Sequence, residues 1–230
     1  MFDRARELVK EIEEKVGRCD KCRGLGPINV DSKPYLEHNV YEERVPERLE
    51  CLFIAESPPG NSERFFYDSR SKSQLRENLF DLLGIKRKDC DGLLEFKEKG
   101  FLLVDAVECR VKKRDGEKVK VKRSILKKAV RNCSYILKLK LELARLGMAK
   151  LVVMGETALE ALRVLGFSEL KGLRVMRNFG EVVDSRGFKV FLLFLPFTRN
   201  LAKVKRRLKE EGLKELREKL LRFCASSRSP

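Results

Sequence analysis

The chain has one histidine, His38, and one glutamine, Gln74, in 230 residues. A single imidazole among polar neighbours excludes a site built on paired histidines. No apolar run approaches the roughly 18 residues that a membrane span needs. The opening Met1-Phe2-Asp3-Arg4 lacks the apolar stretch of an export signal, so no membrane partner is expected. Internal repeats and low-complexity segments are absent from the sequence as well. Seven cysteines, an odd number without an export signal, predict reduced thiols in the cytoplasm rather than a disulfide framework. The scarcity of glutamine beside abundant Lys and Glu gives the composition a thermophile's cast.

What the chain does have is positive charge, 51 Lys+Arg against 35 Asp+Glu, a formal +16. Between Arg110 and Arg131 stand 11 basic and 2 acidic side chains, and from Thr198 to Pro230 there are 11 against 4. These two segments hold the whole excess; the remainder balances at 29 against 29. Charge so confined predicts a patch that meets a polyanion, most directly nucleic acid. Solvated helix faces are the other origin of such runs. With 43% apolar residues, the chain can fill a core. Its length suits one domain over residues 1–230, expected to be monomeric.

Helix and strand patterns alternate along the chain. Leu8, Val9, Ile12 and Val16 recur at helical spacing within residues 3–17. A polar stretch from Arg18 to Glu50 follows, holding Cys19 and Cys22. The compact runs Cys51–Ala55, Phe101–Val104 and Leu151–Met154 read as buried strands. Helices are predicted near Gln74–Leu83, over Ser124–Leu146 and from Gly155 through Leu165. Two strands near Gly180–Asp184 and Phe188–Leu195 precede a basic C-terminal helix. This order predicts a three-layer α/β sandwich, with a central, mostly parallel four-stranded sheet flanked by helices. Chemistry in such folds gathers at the loops that leave the C-terminal ends of the strands. Here these are Glu56–Asp68, Asp105–Arg110, Gly155–Thr157 and Pro196–Asn200.

Those loops carry a family resemblance. Ala55-Glu56-Ser57-Pro58-Pro59-Gly60 resembles the Gly-Glu-Ala-Pro-Gly first motif of the uracil-DNA glycosylase superfamily, in its iron–sulfur families four and five. Arg64-Phe65-Phe66-Tyr67-Asp68 is similar to the segment where those enzymes place a base-stacking Phe. Val104 to Arg110 resembles their strand ending in a base-reading residue and then a cluster cysteine. Arg131 to Leu137 is similar to the helix with the last cluster cysteine, and Gly155 to Leu162 to a strand-to-helix turn. The resemblance runs from about Cys19 to Asn200.

Read without the family, Cys19-Asp20-Lys21-Cys22 is a CxxC able to clasp one metal centre. Cys51, within a strand, and Cys224, near a chain end, read as plain thiols. Cys109 and Cys133 are placed to converge. The resemblance implies the same four, Cys19, Cys22, Cys109 and Cys133, as ligands of a [4Fe-4S] cluster. The step from Cys109 to Cys133 is longer than the family's, which leaves Cys90 as a substitute ligand. Zinc on four cysteines is the competing chemistry, and unligated buried thiols are the plain alternative.

The resemblance implies hydrolysis of an N-glycosidic bond of an altered base in double- or single-stranded DNA. Glu56 and Asp68 are then the catalytic carboxylates, polarising water and favouring a cationic sugar. Either can also be an ordinary loop carboxylate or helix cap. Phe66 would stack on the flipped base, or simply pack the core. Pro58, Pro59, Gly155 and Thr157 would press on the DNA, with Lys112, Lys113 and Arg114 of the basic insertion beside them.

Two positions depart from the family. Where it has His-Pro-Ser, this chain has Leu195-Pro196-Phe197-Thr198-Arg199-Asn200, so Leu195 or Arg199 stands in the histidine's place. Arg199 or Asn200 would supply the missing donor, Arg199 as a permanent cation. Asp105 stands where family four reads uracil with Asn. An ionised Asp offers only acceptors and would repel the O4 of uracil, which predicts a preference for another base. The other readings are a non-catalytic nucleic-acid-binding protein that keeps fold and cluster, and a zinc-stabilised domain with no nucleic-acid role.

Overall fold

A computed structural model describes residues 2–111 and 121–225. Lys112, Lys113 and Arg114 therefore lie outside the described residues. In chain order the elements are α1 (Phe2–Arg18), β1 (Ile28–Asn29), α2 (Pro34–Glu37), α3 (Val40–Glu43), β2 (Cys51–Ala55), α4 (Gln74–Leu83), α5 (Cys90–Glu98), β3 (Phe101–Asp105) and β4 (Arg110–Val111). Then come α6 (Arg123–Leu146), β5 (Lys150–Met154), α7 (Glu156–Val164), α8 (Val175–Asn178), β6 (Val182–Ser185), β7 (Phe188–Leu193) and α9 (Thr198–Cys224).

The main sheet runs β3-β2-β5-β7-β6 and is parallel except for β6. β2 and β3 are buried at every residue, which is why they read as unbroken apolar runs rather than as alternation. The sheet thus has five strands, not the four expected. The fifth is the antiparallel edge β6, whose exposed and half-buried side chains give little hydrophobic signal. Arg186 and Gly187 join β6 to β7 with φ of 50° and 78°, the left-handed pair that a two-residue type I′ hairpin requires.

Among the helices, α1 packs on α6, α6 on α7, and α4 on α9. Helix α5 was not expected from the periodicity. Asp89 caps it by accepting from Asp91 and Gly92, and Gly92 lies where a Cβ would sit 2.1 Å from the Arg87 carbonyl oxygen. The basic C-terminal segment is helical as expected, but broken at Lys209 (φ 57°, ψ −173°). Its end is not frayed. Lys150 Nζ donates to the carbonyls of Phe223 and Ala225, both at 2.7 Å. Cys224 is buried beside Cys51, and that neighbouring thiol, with burial, raises the Cys51 thiol pKa well above its ordinary value.

β2 is followed by a connection to β3 on one side, and β3 by a connection to β5 on the other. The order in which strands are added therefore reverses at β2, and the crevice at its C-terminal end is where such a sheet binds ligands.

Candidate active site

A cavity of about 490 Å³ opens at that crevice, within the range of small-molecule pockets. The loop after β2 supplies Ala55 to Asn61, β3 supplies Leu103 and Asp105, and the loop after β7 supplies Leu195 and Phe197. Phe65 and Phe66 also line it, and Arg64 is the one cation among the described residues that does.

Glu56 is half-buried, and the Thr157 hydroxyl donates to its Oε2. Thr157 reaches it from the first turn of α7, because Gly155 (φ 90°) turns the chain sharply. A Cβ on Gly155 would lie 3.3 Å from the Cβ of Leu195, so glycine lets the loops after β5 and β7 close on each other. Pro58 is buried, and Pro59 presents its carbonyl to Arg110 Nη1 at 3.0 Å. Arg110 is itself buried. It also donates to Ser32 Oγ at 2.9 Å and Glu37 Oε2 at 3.4 Å, and its guanidinium lies 5.8 Å from the Phe65 ring centre. Sequence reasoning counted Arg110 only as charge; here it clamps the first-motif loop.

Asp105 is 4% exposed. Its Oδ2 accepts from the Tyr35 hydroxyl at 3.0 Å. Burial, then the neighbouring Glu108 carboxylate, lift its pKa from the ordinary 3.8 to about 8, against the pull of Lys140 and Tyr35. Lys140 is buried, forms an ion pair with Glu108, and donates to the Asp105 carbonyl at 3.4 Å. Tyr41 completes the network by donating to Glu108 Oε2 at 2.8 Å. Burial raises the Tyr35 and Tyr41 pKa values well above the ordinary phenol value.

The other expected residues are placed differently. Asp68 does not line the cavity: its carboxylate accepts from the Arg70 backbone at 3.1 Å and pairs with the Arg70 side chain at 3.6 Å. Buried Arg76 holds that segment through the carbonyls of Phe66 and Asp68, each at 2.7 Å. Phe66 does line the cavity, yet its ring also packs in the core against Tyr67, Phe80 and Phe96. Phe65 is a second aromatic wall that the sequence reading passed over, held by Tyr35, Tyr67 and His38. Arg199 is exposed on the first turn of α9, and Asn200 donates to the Leu195 carbonyl at 2.9 Å; neither lines the cavity. Of the two residues standing for the family's histidine, Leu195 is the one at the cavity.

Cys19, Cys22, Cys109 and Cys133 are all buried and lie together. Cys133 donates to Cys22, which with Asn132 lowers the Cys22 pKa to about 7, while burial lifts Cys109 to about 12. Four sulfurs from three chain segments are a donor set that fits an S4 metal centre. Zinc on four thiolates would hold the sulfurs about 3.8 Å apart. Among the described residues, the one group of three such ligand atoms within 4.8 Å of one another is instead Asp89, Cys90 and Asp91, exposed at the start of α5. Cys90 thus lies apart from the four, and Asp89 and Asp91 are engaged by the helix cap and by Arg87.

Parallel strands, a switch-point crevice and a cavity with carboxyl groups and aromatic walls define an α/β domain with its candidate site at the C-terminal ends of the strands. The uracil DNA glycosylase superfamily model matches residues 43–221, well over half of the chain. The chain belongs to the uracil DNA glycosylase superfamily. No curated protein matches it. Residues 1–42 precede the match, yet they bring Cys19, Cys22, Tyr35, Glu37 and Tyr41 to the site.

Proposed function

We propose that the protein is a DNA glycosylase that hydrolyses the N-glycosidic bond of an altered base held in this cavity. One observation carries the reading. Glu56 and Asp105, two carboxyl groups held by Thr157 and Tyr35, line one cavity beside Phe65 and Phe66. Glu56, oriented by Thr157, polarises a water and favours positive charge on the sugar. The C1′–N bond breaks with its electron pair leaving on the base. The water oxygen bonds C1′, and its proton passes through the Glu56 carboxylate to the departing base. Arg64, which lines the cavity, takes the charge-stabilising role that the sequence suggested for Arg199.

The groove beside the cavity, lined by Arg64, Arg70 and Lys72, shares Asn61, Arg64 and Gln74 with it and fits the DNA backbone. Cys19, Cys22, Cys109 and Cys133, four buried thiols from three chain segments, would hold a [4Fe-4S] cluster. When bound it supplies a cross-link between the N-terminal segment and the strand end that carries Asp105. Leu195, which offers no donor where the family has histidine, favours the second reading, a DNA-binding protein without activity.

Strand cleavage after base release, on a panel of single-lesion duplexes, tests the reading. Glu56→Gln should lower excision by about 10²–10³-fold, and iron and sulfide should copurify in a ratio near one. Excision untouched by Glu56→Gln removes the site assignment, and stoichiometric zinc without sulfide removes the cluster.

A further inference from the structure

The four thiols of the candidate metal centre are not equally sheltered. Cys19 keeps 9% of its surface, against 1%, 3% and 2% for Cys22, Cys109 and Cys133. Cys19 is also the one of the four that lines a surface groove of about 590 Å³. The groove is framed by the end of α1, the CxxC turn and the segment that runs from Val30 into α2. The other three thiols are covered by neighbours. The Asn132 amide donates to the Lys21 carbonyl at 2.6 Å and to Cys22 Sγ at 3.7 Å. The Lys21 ammonium sits 3.9 Å from the centre of the Tyr135 ring. Cys109 leads directly into β4, which pairs with β1, and Cys133 is among the buried residues of α6.

A weak strap crosses the groove. Arg23, one residue past the CxxC, reaches Asp31 at 3.4 Å and stands 3.8 Å from Asp20. All three side chains line the groove and all are exposed. Water and salt screen such a pair, so it opens at little cost. The rest of the rim is held more firmly. Lys33 Nζ donates to the Gly17 carbonyl at 2.5 Å, and Glu37 Oε1 accepts from the Ser32 hydroxyl and the Lys33 amide, both at 2.8 Å. The thiols thus have one flank closed by fixed contacts and another closed by a breakable ion pair.

We propose that this groove is the port through which the four-cysteine centre is loaded and stripped, with Cys19 as the ligand that exchanges first and the Arg23–Asp31 pair as its gate. The inference rests on the metal centre of the reading above and concerns access to it. The exchange is a substitution at the metal. An incoming thiolate or carboxylate donates an electron pair to the metal while the bond to Cys19 Sγ breaks and its pair returns to sulfur, with no change of oxidation state. The groove has the volume for a small chelating or thiol-bearing molecule. Its acidic and basic lining side chains are equal in number, so an anionic donor is not repelled.

The test strips the full-length protein with EDTA, following visible absorbance for iron or release to a zinc-sensitive dye. Arg23→Ala should quicken the loss about twofold to fivefold, the range that an exposed ion pair supplies, and raised salt should quicken it in wild type. Gly17→Phe should slow it by a similar factor. Gly17 lines the groove from α1, and a Cβ there meets Leu36 at 3.8 Å, an ordinary contact, so a larger side chain enters the groove without strain. Lys21→Ala, on the same turn but outside the groove lining, should change the rate less than Arg23→Ala does. Alkylation during stripping, read by mass spectrometry, should mark exposed Cys90 at once and Cys19 next, ahead of Cys22, Cys109 and Cys133. Alkylation of any of those three before Cys19, or loss as fast in Lys21→Ala as in Arg23→Ala, overturns the port. Iron and sulfide that copurify but leave at rates indifferent to Arg23→Ala and Gly17→Phe keep the cluster and remove the port. A protein that carries zinc, or no metal, removes the cluster, and the port then stands or falls on the order of alkylation and its response to the same two substitutions.

Discussion

On the β2–β3 side of the cavity, Glu56, Asp105 and Arg110 are each held by a defined partner: Thr157, Tyr35, and the Pro59 carbonyl with Ser32. The β7 side presents Leu195 and the 40% exposed ring of Phe197, with Asn200 turned back onto its own loop. In the polar wall, geometry is set by hydrogen bonds that tolerate little displacement. The apolar wall is shaped by contact and by close approach to Gly155. In the glycosylase reading proposed above, a base would be read and activated from one side and packed from the other. Each wall holds one of the two departures from the family, Asp105 in the polar wall and Leu195 in the apolar one.

Breaking the polar wall should have the largest effect on stability. Arg110→Ala removes three hydrogen bonds from a buried guanidinium and frees the Pro58–Gly60 loop. A loss of about 3 kcal/mol is expected, with weaker binding of lesion DNA. Leu195→Ala on the other wall deletes only half-buried methyl groups and should cost about 1–2 kcal/mol. Denaturant melts of both variants decide it; equal losses would mean that the walls do not differ as described.

A second difference should appear in the pH dependence of stability. The folded Asp105 carboxyl keeps its proton up to about 8, against an ordinary value of 3.8. Its contribution to stability is therefore full below about 4 and is lost as pH rises toward 8. Asn does not titrate, so the melting temperature of Asp105→Asn relative to wild type should climb between mildly acidic and alkaline buffer. A gap that stays constant would mean that Asp105 titrates alike in the folded and unfolded chain.

Much of the fold was legible because buried parallel strands write themselves as short apolar runs. Cys51–Ala55 and Gln74–Leu83 have the bounds expected of them. The edge strand β6 was read as a strand but left out of the sheet's count, and α5, with Gly92 inside it, was missed. The four cysteines expected to converge are buried together, two of them brought in by one CxxC. What stayed hidden were partners distant in sequence. Tyr35 meets Asp105 across 70 residues and Arg110 reaches Glu37 across 73, contacts that no local pattern encodes. Asp68 and Arg199 were chosen by motif position, and the folded chain turns both away from the cavity.

The smallest expected effect separates the rim from its neighbourhood. Arg64 and Lys72 line the groove that adjoins the cavity, whereas Arg199 lines neither. Arg70 lines the groove too, but its charge is partly met by Asp68 at 3.6 Å. A cation that contacts phosphate releases counterions, and each contact adds about 0.9 to the slope of log affinity against log salt. Neutralising Arg64 and Lys72 together should flatten that slope by roughly two units, Arg70→Gln by less than one. Arg199→Ala should leave the slope within about half a unit of wild type and the excision rate within a few-fold. Fluorescence anisotropy titrations across a salt series measure the slopes directly. A full unit lost with Arg199 would place the DNA backbone along α9, and the apolar wall would then be the one facing the phosphates.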